Sequence, residues 1–413
     1  MHGKDPRHYT PISQPASSAP LLLMGVTHAQ TCMVLGPRIR ALREDGFRIV
    51  LLASPGELLD RTASAEGVER VAIPIERGMA PWADLISLVR IWILLGRLRP
   101  DVVEFSTPKV GLLGNLAAAA RRIPQRVYLL RGLKLETSFG WRRLFLLAAE
   151  RVASACAHVV VCNSESLQER AFTLGIASSA KLRLLGGGSS KGVDLRRFSP
   201  GKSRVRALLG WTESAPVVGY VGRLTRDKGI PELVEAFESI LGAEPEARLL
   251  LVGWFDASED ALDIHLRAWI DRHPRIHCTG YVEDTAPFYR AMDVMVLPTW
   301  REGFPNVVLE AQATGIPVVT TISTGARDSV LPEVTGLLIP PGYPQAICAA
   351  VLKLLHDPTM RRRMGAAARA WVREHYLERR VLRLTTDFYW RLLTDEGPAL
   401  KEAAEVIQSP LVQ

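Results

Sequence analysis

Val217-Val218-Gly219-Tyr220-Val221, then Gly222-Arg223-Leu224-Thr225-Arg226-Asp227-Lys228-Gly229, then a helical periodicity over residues 230–241: this stretch decides the fold. A five-residue apolar run bounded by a glycine turn reads as a strand. The run is apolar throughout rather than alternating, which is the pattern of a parallel strand covered on both faces. A strand, a turn and a helix in that order form the repeating unit of a doubly wound α/β domain, and ligands bind beyond the carboxyl ends of such strands.

The pattern continues in both directions. Downstream, strands are expected at 248–252, 276–279, 294–297, 317–320 and 337–339, with helices at 261–272, 306–314, 345–355 and 359–375. Upstream, strands are expected at 21–25, 48–53, 68–73, 102–105, 126–130 and 158–162. Helical patterns run up to Glu44, over 82–98, 111–120 and 139–154, and after the capping residues Asn163 and Ser164. Between the two series lies Leu185-Gly186-Gly187-Gly188-Ser189-Ser190-Lys191-Gly192-Val193-Asp194, the most Gly/Ser-rich part of the chain. The expected fold class is α/β: two facing, Rossmann-like, doubly wound domains with a last helix packing back on the first. The divisions are a disordered lead-in at 1–20, a first domain at 21–197, a second at 198–376, a crossover helix at 377–394 and a tail at 395–413. At roughly 100–200 residues per domain, 413 residues fit this count.

Composition narrows the class. The chain is 47% hydrophobic and 23% charged, which excludes a mostly disordered chain and a small disulfide scaffold. Its five cysteines are scattered without a CxxC pair, so buried thiols are expected rather than a zinc site. No apolar run reaches the roughly 18 residues of a membrane span, and the first 20 residues lack a signal-peptide layout. A cytoplasmic protein is expected. The formal charge of +8 is uneven: residues 1–200 carry +11 and residues 201–413 carry −3. A basic half suits a polyanionic partner.

Two loops carry the chemistry. Arg223 and Lys228 lie five residues apart around the turn after one strand, where a guanidinium and an ammonium can converge on a diphosphate. Glu302-Gly303-Phe304-Pro305-Asn306-Val307-Val308-Leu309-Glu310 follows the strand 294–297 and opens a helix. Gly303 permits close backbone approach, and the helix start offers free amides to an anion. Glu302 and Glu310 are too far apart for a proton-sharing pair, but each can accept from hydroxyls of one long polar ligand. Solvated loop charges and helix-dipole complementation are the plainer alternatives.

The spacing of Glu302 and Glu310 is an E-x7-E motif in the setting E-G-F-P-N-x-x-x-E. With G-R-L-x-x-D-K-G at 222–229 and G-V-D-x-x-R-F-S-P at 192–200, residues 20–394 resemble the retaining, nucleotide-sugar-dependent glycosyltransferases of family 4, which have the GT-B architecture. The resemblance implies that the second domain holds the donor and the first the acceptor. It implies that Arg223 and Lys228 bind the donor diphosphate, that Glu310 accepts from ribose hydroxyls and Glu302 from the donor sugar. Backbone amides of Gly303, Phe304, Asn306 and Val307 would meet sugar and phosphate. Gly280-Tyr281-Val282 matches the loop that meets the nucleotide base, and 192–194 the signature before the linker, with a hinge or structural role. A nucleotide-diphosphate sugar is implied as co-substrate, a UDP-sugar being favoured, with no cofactor or metal required; no DxD-like motif is present.

The first half departs from the family pattern. A glycine-rich loop is expected after the first strand, where this chain has Gly25-Val26-Thr27-His28-Ala29-Gln30-Thr31. Arg131, in Tyr128-Leu129-Leu130-Arg131-Gly132-Leu133, stands where many members carry a histidine near the reacting centre. An arginine there would bind acceptor phosphate or stabilise the leaving diphosphate; His28 is the remaining histidine candidate for that centre.

Basic residues from Arg121 to Arg151 accompany Trp141, Leu144 and Phe145, and the helix at 82–98 is apolar with Arg90 and Arg97. This suits either core helices with solvated basic ends or a peripheral contact with the inner face of an anionic membrane, where a lipid-linked (polyprenyl-diphosphate) acceptor would be met. Nucleic acid is not expected as a partner. The reading is a retaining hexosyltransferase of surface polysaccharide, capsule, lipopolysaccharide or glycolipid synthesis. The alternatives are a nucleotide-sugar 2-epimerase of the same architecture and a non-catalytic sugar-nucleotide-binding assembly protein. A Rossmann dehydrogenase is disfavoured because no G-x-G-x-x-G follows a first strand.

Overall fold

A computed structural model describes residues 19–76 and 78–394; the expected lead-in up to residue 18 and the tail from 395 lie outside the described residues. Among the described residues, thirteen strands form two all-parallel sheets. The first holds β1 (Leu21–Gly25), β2 (Arg48–Ala53), β3 (Glu69–Ala72), β4 (Val102–Ser106), β5 (Gln125–Leu130), β6 (Val159–Cys162) and β7 (Leu182–Leu184), in the order β3-β2-β1-β4-β5-β6-β7. The second holds β8 (Val217–Val221), β9 (Arg248–Val252), β10 (Ile276–Cys278), β11 (Val294–Leu297), β12 (Val318–Thr321) and β13 (Gly336–Ile339), in the order β10-β9-β8-β11-β12-β13. Both sheets reverse strand order beside their first strand, and that switch point is where ligands enter doubly wound sheets.

The apolar runs explain the layering. β1 (Leu-Leu-Leu-Met-Gly) and β8 (Val-Val-Gly-Tyr-Val) are buried at every position, as strands with helices on both faces must be. Several short elements were not legible in the sequence, nor were the helix Glu57–Glu66 and β7. The helix Glu57–Glu66 buries Leu59 and Ala63, but also Thr62 and Glu66. Those polar inner positions break the apolar period, and Glu66 is tolerated because Arg40 forks onto both its oxygens at 2.7 and 3.0 Å. β7 has only three residues, at the sheet edge.

The last helix, Glu378–Leu393, returns to the first domain. Phe388 and Tyr389 join the core formed by Leu22, Met24, Ile39, Leu42 and Phe47, and Trp390 Nε1 donates to Asp45 Oδ2 at 2.7 Å. Just before that helix, Val193 N–H donates to the Tyr376 carbonyl (2.8 Å) and Glu378 N–H to the Val193 carbonyl (3.0 Å), so the outgoing and returning chains pass side by side. Glu104 on β4, Arg38 and Tyr389 form a buried polar knot: Arg38 Nη1 donates to Glu104 Oε1 at 2.9 Å, Arg38 Nη2 to Tyr389 Oη at 2.8 Å, and both Arg38 Nη2 and the Tyr389 hydroxyl donate to Glu104 Oε2.

Candidate active site

The loops that leave the carboxyl ends of the strands converge between the two domains. After β8 the chain makes a short 3-10 turn at Arg226–Lys228, then turns through Gly229 at φ +74°. A Cβ there would lie 2.1 Å from the Pro298 carbonyl, so the turn requires glycine and holds the 222–229 loop against the loop after β11. That contact brings Lys228 Nζ to 2.5 Å from Glu302 Oε1. Asp227, buried beneath them, accepts from Thr225 Oγ1 at 2.6 Å and Arg301 Nη2 at 2.9 Å. Burial alone would raise its carboxyl, but Lys228 and Arg301 outweigh this and hold it below the ordinary aspartate value. Arg223 Nη1 meets Asp256 Oδ2 at 2.6 Å, and its carbonyl accepts from the Tyr220 hydroxyl at 2.7 Å.

Glu310 lies on the helix Asn306–Ala313, with Pro305 at the N-cap. Its Oε1 is 3.2 Å from Lys191 Nζ and its Oε2 3.0 Å from the Tyr289 hydroxyl, which also lies 3.1 Å from the Val307 carbonyl. The Asn306 side-chain carbonyl accepts from Ser189 Oγ at 2.8 Å. The Gly/Ser-rich segment at 185–194 therefore faces the start of this helix and contributes a lysine to it. Phe304 is buried against Tyr376, with ring centroids 5.3 Å apart.

Gly303 has a different neighbour from the one expected. A Cβ at Gly303 would sit 2.0 Å from the Arg131 carbonyl, so in this structure the close approach is made by the first domain's backbone. The same interface carries Arg301 Nε donating to Thr137 Oγ1 at 2.9 Å and Thr324 Oγ1 donating to Glu136 Oε1 at 2.7 Å. Lys134 Nζ and Arg142 Nη2 both reach Glu259 Oε2 at 3.0 Å. Arg131 is thus brought beside the Glu302 loop. Its Nε and Nη2 are buried without a hydrogen-bond partner among the described residues.

Of the other expected residues, Gly280 turns at φ +68° after β10, and Tyr281 is half exposed with its ring edge-on to Trp254 at 5.6 Å. Val282 packs against the second core. The Tyr281 hydroxyl is 3.9 Å from Met33 Sδ of the first domain. His28 caps the short helix Ala29–Cys32, its Nδ1 accepting from the Gln30 N–H at 3.3 Å. Sequence reasoning missed Asp256, Arg301, Lys191 and Tyr289. They come from separate segments: Lys191 from the Gly/Ser-rich stretch between the domains, Asp256 and Arg301 from second-domain loops, and Tyr289 from the end of the short helix Ala286–Tyr289.

Chemically, three cations are each paired with a carboxylate near the start of the Asn306–Ala313 helix and the loop after β8: Arg223 with Asp256, Lys228 with Glu302 and Lys191 with Glu310. Such a site can exchange those carboxylates for phosphate oxygens while other acceptors meet hydroxyl groups.

Comparisons with known proteins identify the family. Residues 215–357 match the family described as Glycosyl transferases group 1, and residues 37–188 the Glycosyl transferase 4-like domain. The capsular polysaccharide biosynthesis glycosyltransferase CapM of Staphylococcus aureus is 33% identical over 352 residues, covering 85% of this chain and 92% of that protein. The UDP-Gal:alpha-D-GlcNAc-diphosphoundecaprenol alpha-1,3-galactosyltransferase of Escherichia coli is 25% identical over 290 residues, covering 67% and 72%. Among solved structures, HepE of Anabaena in complex with UDP and glucose superposes with a TM-score of 0.75 at 19% identity, covering 90% of this chain and 99% of that one. With both halves matched and a relative of this similarity along most of its length, the chain belongs to the family 4 type of GT-B glycosyltransferases.

Proposed function

We propose that this glycosyltransferase moves a sugar, with retention of anomeric configuration, from a nucleotide-diphosphate sugar to a carbohydrate or lipid-linked diphosphate acceptor. A UDP-sugar is the favoured donor, and the product belongs to surface polysaccharide or glycolipid synthesis. The observation that carries the reading is the Lys228–Glu302 pair, which joins the loop after β8, where Arg223 also lies, to the loop that opens the helix carrying Glu310. Arg223 and Lys228 exchange Asp256 and Glu302 for the donor diphosphate. Glu310, oriented by Lys191 and Tyr289, accepts from the ribose, and Glu302 from the donor sugar. The 280–282 loop, with Trp254 beside it, receives the base.

Retention follows from same-face substitution. The acceptor hydroxyl oxygen bonds to the anomeric carbon as the bond to the diphosphate oxygen breaks, and the hydroxyl proton passes to that leaving oxygen. Arg223 and Lys228 stabilise the charge that develops there, and preorganised cations of this kind are commonly the largest catalytic contribution.

The acceptor is met at a membrane surface. Among the described residues no helix is long and apolar enough to cross a membrane. The helix Pro81–Leu98 nevertheless exposes Trp82, Leu85, Ile86, Val89, Trp92 and Ile93, a single stripe at helical spacing. The helix Gly140–Cys156 exposes Trp141, Leu144 and Phe145, with Phe139 just before it. Both pack against the helix Pro108–Ala120. Trp82 is 81% and Phe139 83% exposed, which is too much apolar area to leave in water without a partner. Arg90, Arg97 and Arg143 on the same helices suit anionic headgroups, whereas Arg142 is paired with Glu259; this fits a peripheral enzyme on the cytoplasmic face.

Incubation with labelled UDP-sugars, with and without a bacterial lipid extract as acceptor source, tests the reading. Label should enter the lipid fraction in an alkali-stable, retained linkage. Isomerised donor without acceptor would instead establish the epimerase.

A further inference from the structure

The loop after β12 ties the first domain to Glu302. Glu302 N–H donates to the Thr324 carbonyl at 3.1 Å. Gly325, at φ +75°, lies so close that a Cβ there would sit 2.6 Å from the Glu302 carbonyl oxygen and 2.5 Å from that of Gly303. Residues 324 and 325 therefore fix the backbone that carries the Glu302 carboxylate. The first domain holds that loop in turn. Gly325 N–H donates to Ser166 Oγ at 2.7 Å, and the Ser166 hydroxyl donates to Asp328 Oδ2. Ser166 is 3% exposed, so loss of its hydroxyl leaves a buried N–H without an acceptor.

Ser166 stands in the first turn of the helix Glu165–Thr173. The amides of that turn are shared between the domains. Leu167 N–H donates to Ser164 Oγ and Ser166 N–H to Asp328 Oδ2, each at 3.3 Å. A carboxylate is favoured at the positive end of a helix, and here the second domain supplies it. The neighbouring Arg327–Glu169 pair, at 2.6 Å, is exposed on both sides and adds little.

We propose that Ser166 and Asp328 are positioning residues for sugar transfer: they complete the 324–328 loop across the domain interface and thereby set the Glu302 carboxylate. Both act through Gly325 and the Glu302 backbone rather than on the donor. The inference rests on the proposed role of Glu302 toward the donor sugar and makes that role depend on a first-domain hydroxyl. Arg223 and Lys228 take no contact from this helix, so diphosphate binding does not need Ser166, whereas transfer does.

The test is a double-mutant cycle on the full chain, read by transfer kinetics and by calorimetry with UDP. Ser166→Ala should lower kcat at least tenfold, with donor KM and UDP affinity within twofold of wild type. In a Glu302→Gln background the same change should lower kcat less than twofold, because the group it places is gone. Equal kcat losses in the two backgrounds overturn the proposal, and so does a kcat unchanged by Ser166→Ala. A loss of UDP affinity as large as the loss of kcat also overturns it, by making the effect one on the whole site. Asp328→Asn keeps an oxygen for the two Ser166 donors but removes the charge, and should lower kcat about threefold to tenfold. It takes the place of Ser166→Ala in the cycle if that variant does not fold. Wild-type transfer by Glu302→Gln alone is a different result: it removes the role of Glu302 itself, and the positioning proposal with it.

Discussion

Lys228 Nζ and Glu302 Oε1 lie 2.5 Å apart, joining the loop after β8 to the loop after β11. The cation proposed for the donor diphosphate and the carboxylate proposed for the donor sugar hold each other. A diphosphate must take Lys228 from Glu302, which leaves the carboxylate free to accept from the sugar. Glu302→Gln should therefore tighten UDP alone, by about threefold to tenfold, while lowering sugar transfer by about a hundredfold. Lys228→Ala should weaken UDP at least tenfold. Calorimetry with UDP beside a transfer assay separates the two effects, and a Glu302→Gln variant that binds UDP no better than wild type would remove the competition argument.

Glu310 is held by Lys191 from the interdomain segment and by Tyr289 from the second domain. Tyr289→Phe removes one donor and leaves the carboxylate in place. It should raise the donor KM about fivefold with kcat within twofold, which corresponds to about 1 kcal/mol of ground-state binding. Glu310→Ala should raise KM further. Steady-state kinetics with varied donor checks both, and an effect of Tyr289→Phe confined to kcat would place Glu310 away from the ribose.

The exposed aromatic face makes a separate prediction. Trp82→Ser with Trp141→Ser removes two large apolar groups whose full burial would contribute about 1.5–3 kcal/mol each. Co-sedimentation with phosphatidylglycerol vesicles should fall at least tenfold, while UDP affinity in solution stays unchanged. Arg90→Ser with Arg143→Ser should weaken binding to the same vesicles and reduce its salt dependence. Equal sedimentation of all variants would return these helices to the core-helix reading.

Glu150 sits inside the first domain, its Oε2 accepting from the Tyr128 hydroxyl at 2.6 Å. Burial pushes its carboxyl up to about 7, against the smaller opposing effect of that hydrogen bond. The folded value lies above the unfolded one, so the folded state favours the proton. The stabilisation is fully present below the unfolded value of about 4.3 and is lost as pH rises through 7. The amount at stake is on the order of 3 kcal/mol. Glu150→Gln should flatten the Tm profile between pH 4.5 and 7 and raise Tm above pH 7. A profile parallel to wild type would show that Glu150 does not titrate there.

How far the sequence revealed these features depended on locality. Strand–turn–helix alternation and the two donor loops are contiguous segments, so the fold, the Arg223–Lys228 turn and the Glu302–Glu310 spacing were readable directly. Asp256, Lys191, Tyr289 and Arg301 were not, because each acts through a partner 21 to 164 positions away. Gly303 was read as a place for ligand approach, and its tight neighbour is the Arg131 carbonyl, a contact that exists only once the two domains face each other. The aromatic residues at 82–98 fit a core stripe or an exposed stripe equally well by period, and only burial separates the two.

The least local feature is the knot of Arg38, Glu104 and Tyr389, in which Tyr389 lies 351 positions from Arg38 and 285 from Glu104. Glu104 is 2% exposed and Tyr389 fully buried, so the carboxylate depends on Arg38 and this hydroxyl for its whole solvation. Glu104→Ala leaves Arg38 as an unpaired buried charge beside Arg131 and should cost about 3–5 kcal/mol. Tyr389→Phe removes only one donor and should cost about 1–3 kcal/mol. Because Tyr389 lies on the returning helix Glu378–Leu393, both changes should also loosen that helix from the first domain. Denaturant unfolding gives the two energies, and hydrogen exchange over 378–393 should rise in Tyr389→Phe before global unfolding. Unchanged protection of that helix would mean that Phe388, Trp390 and the surrounding core hold it without the polar knot.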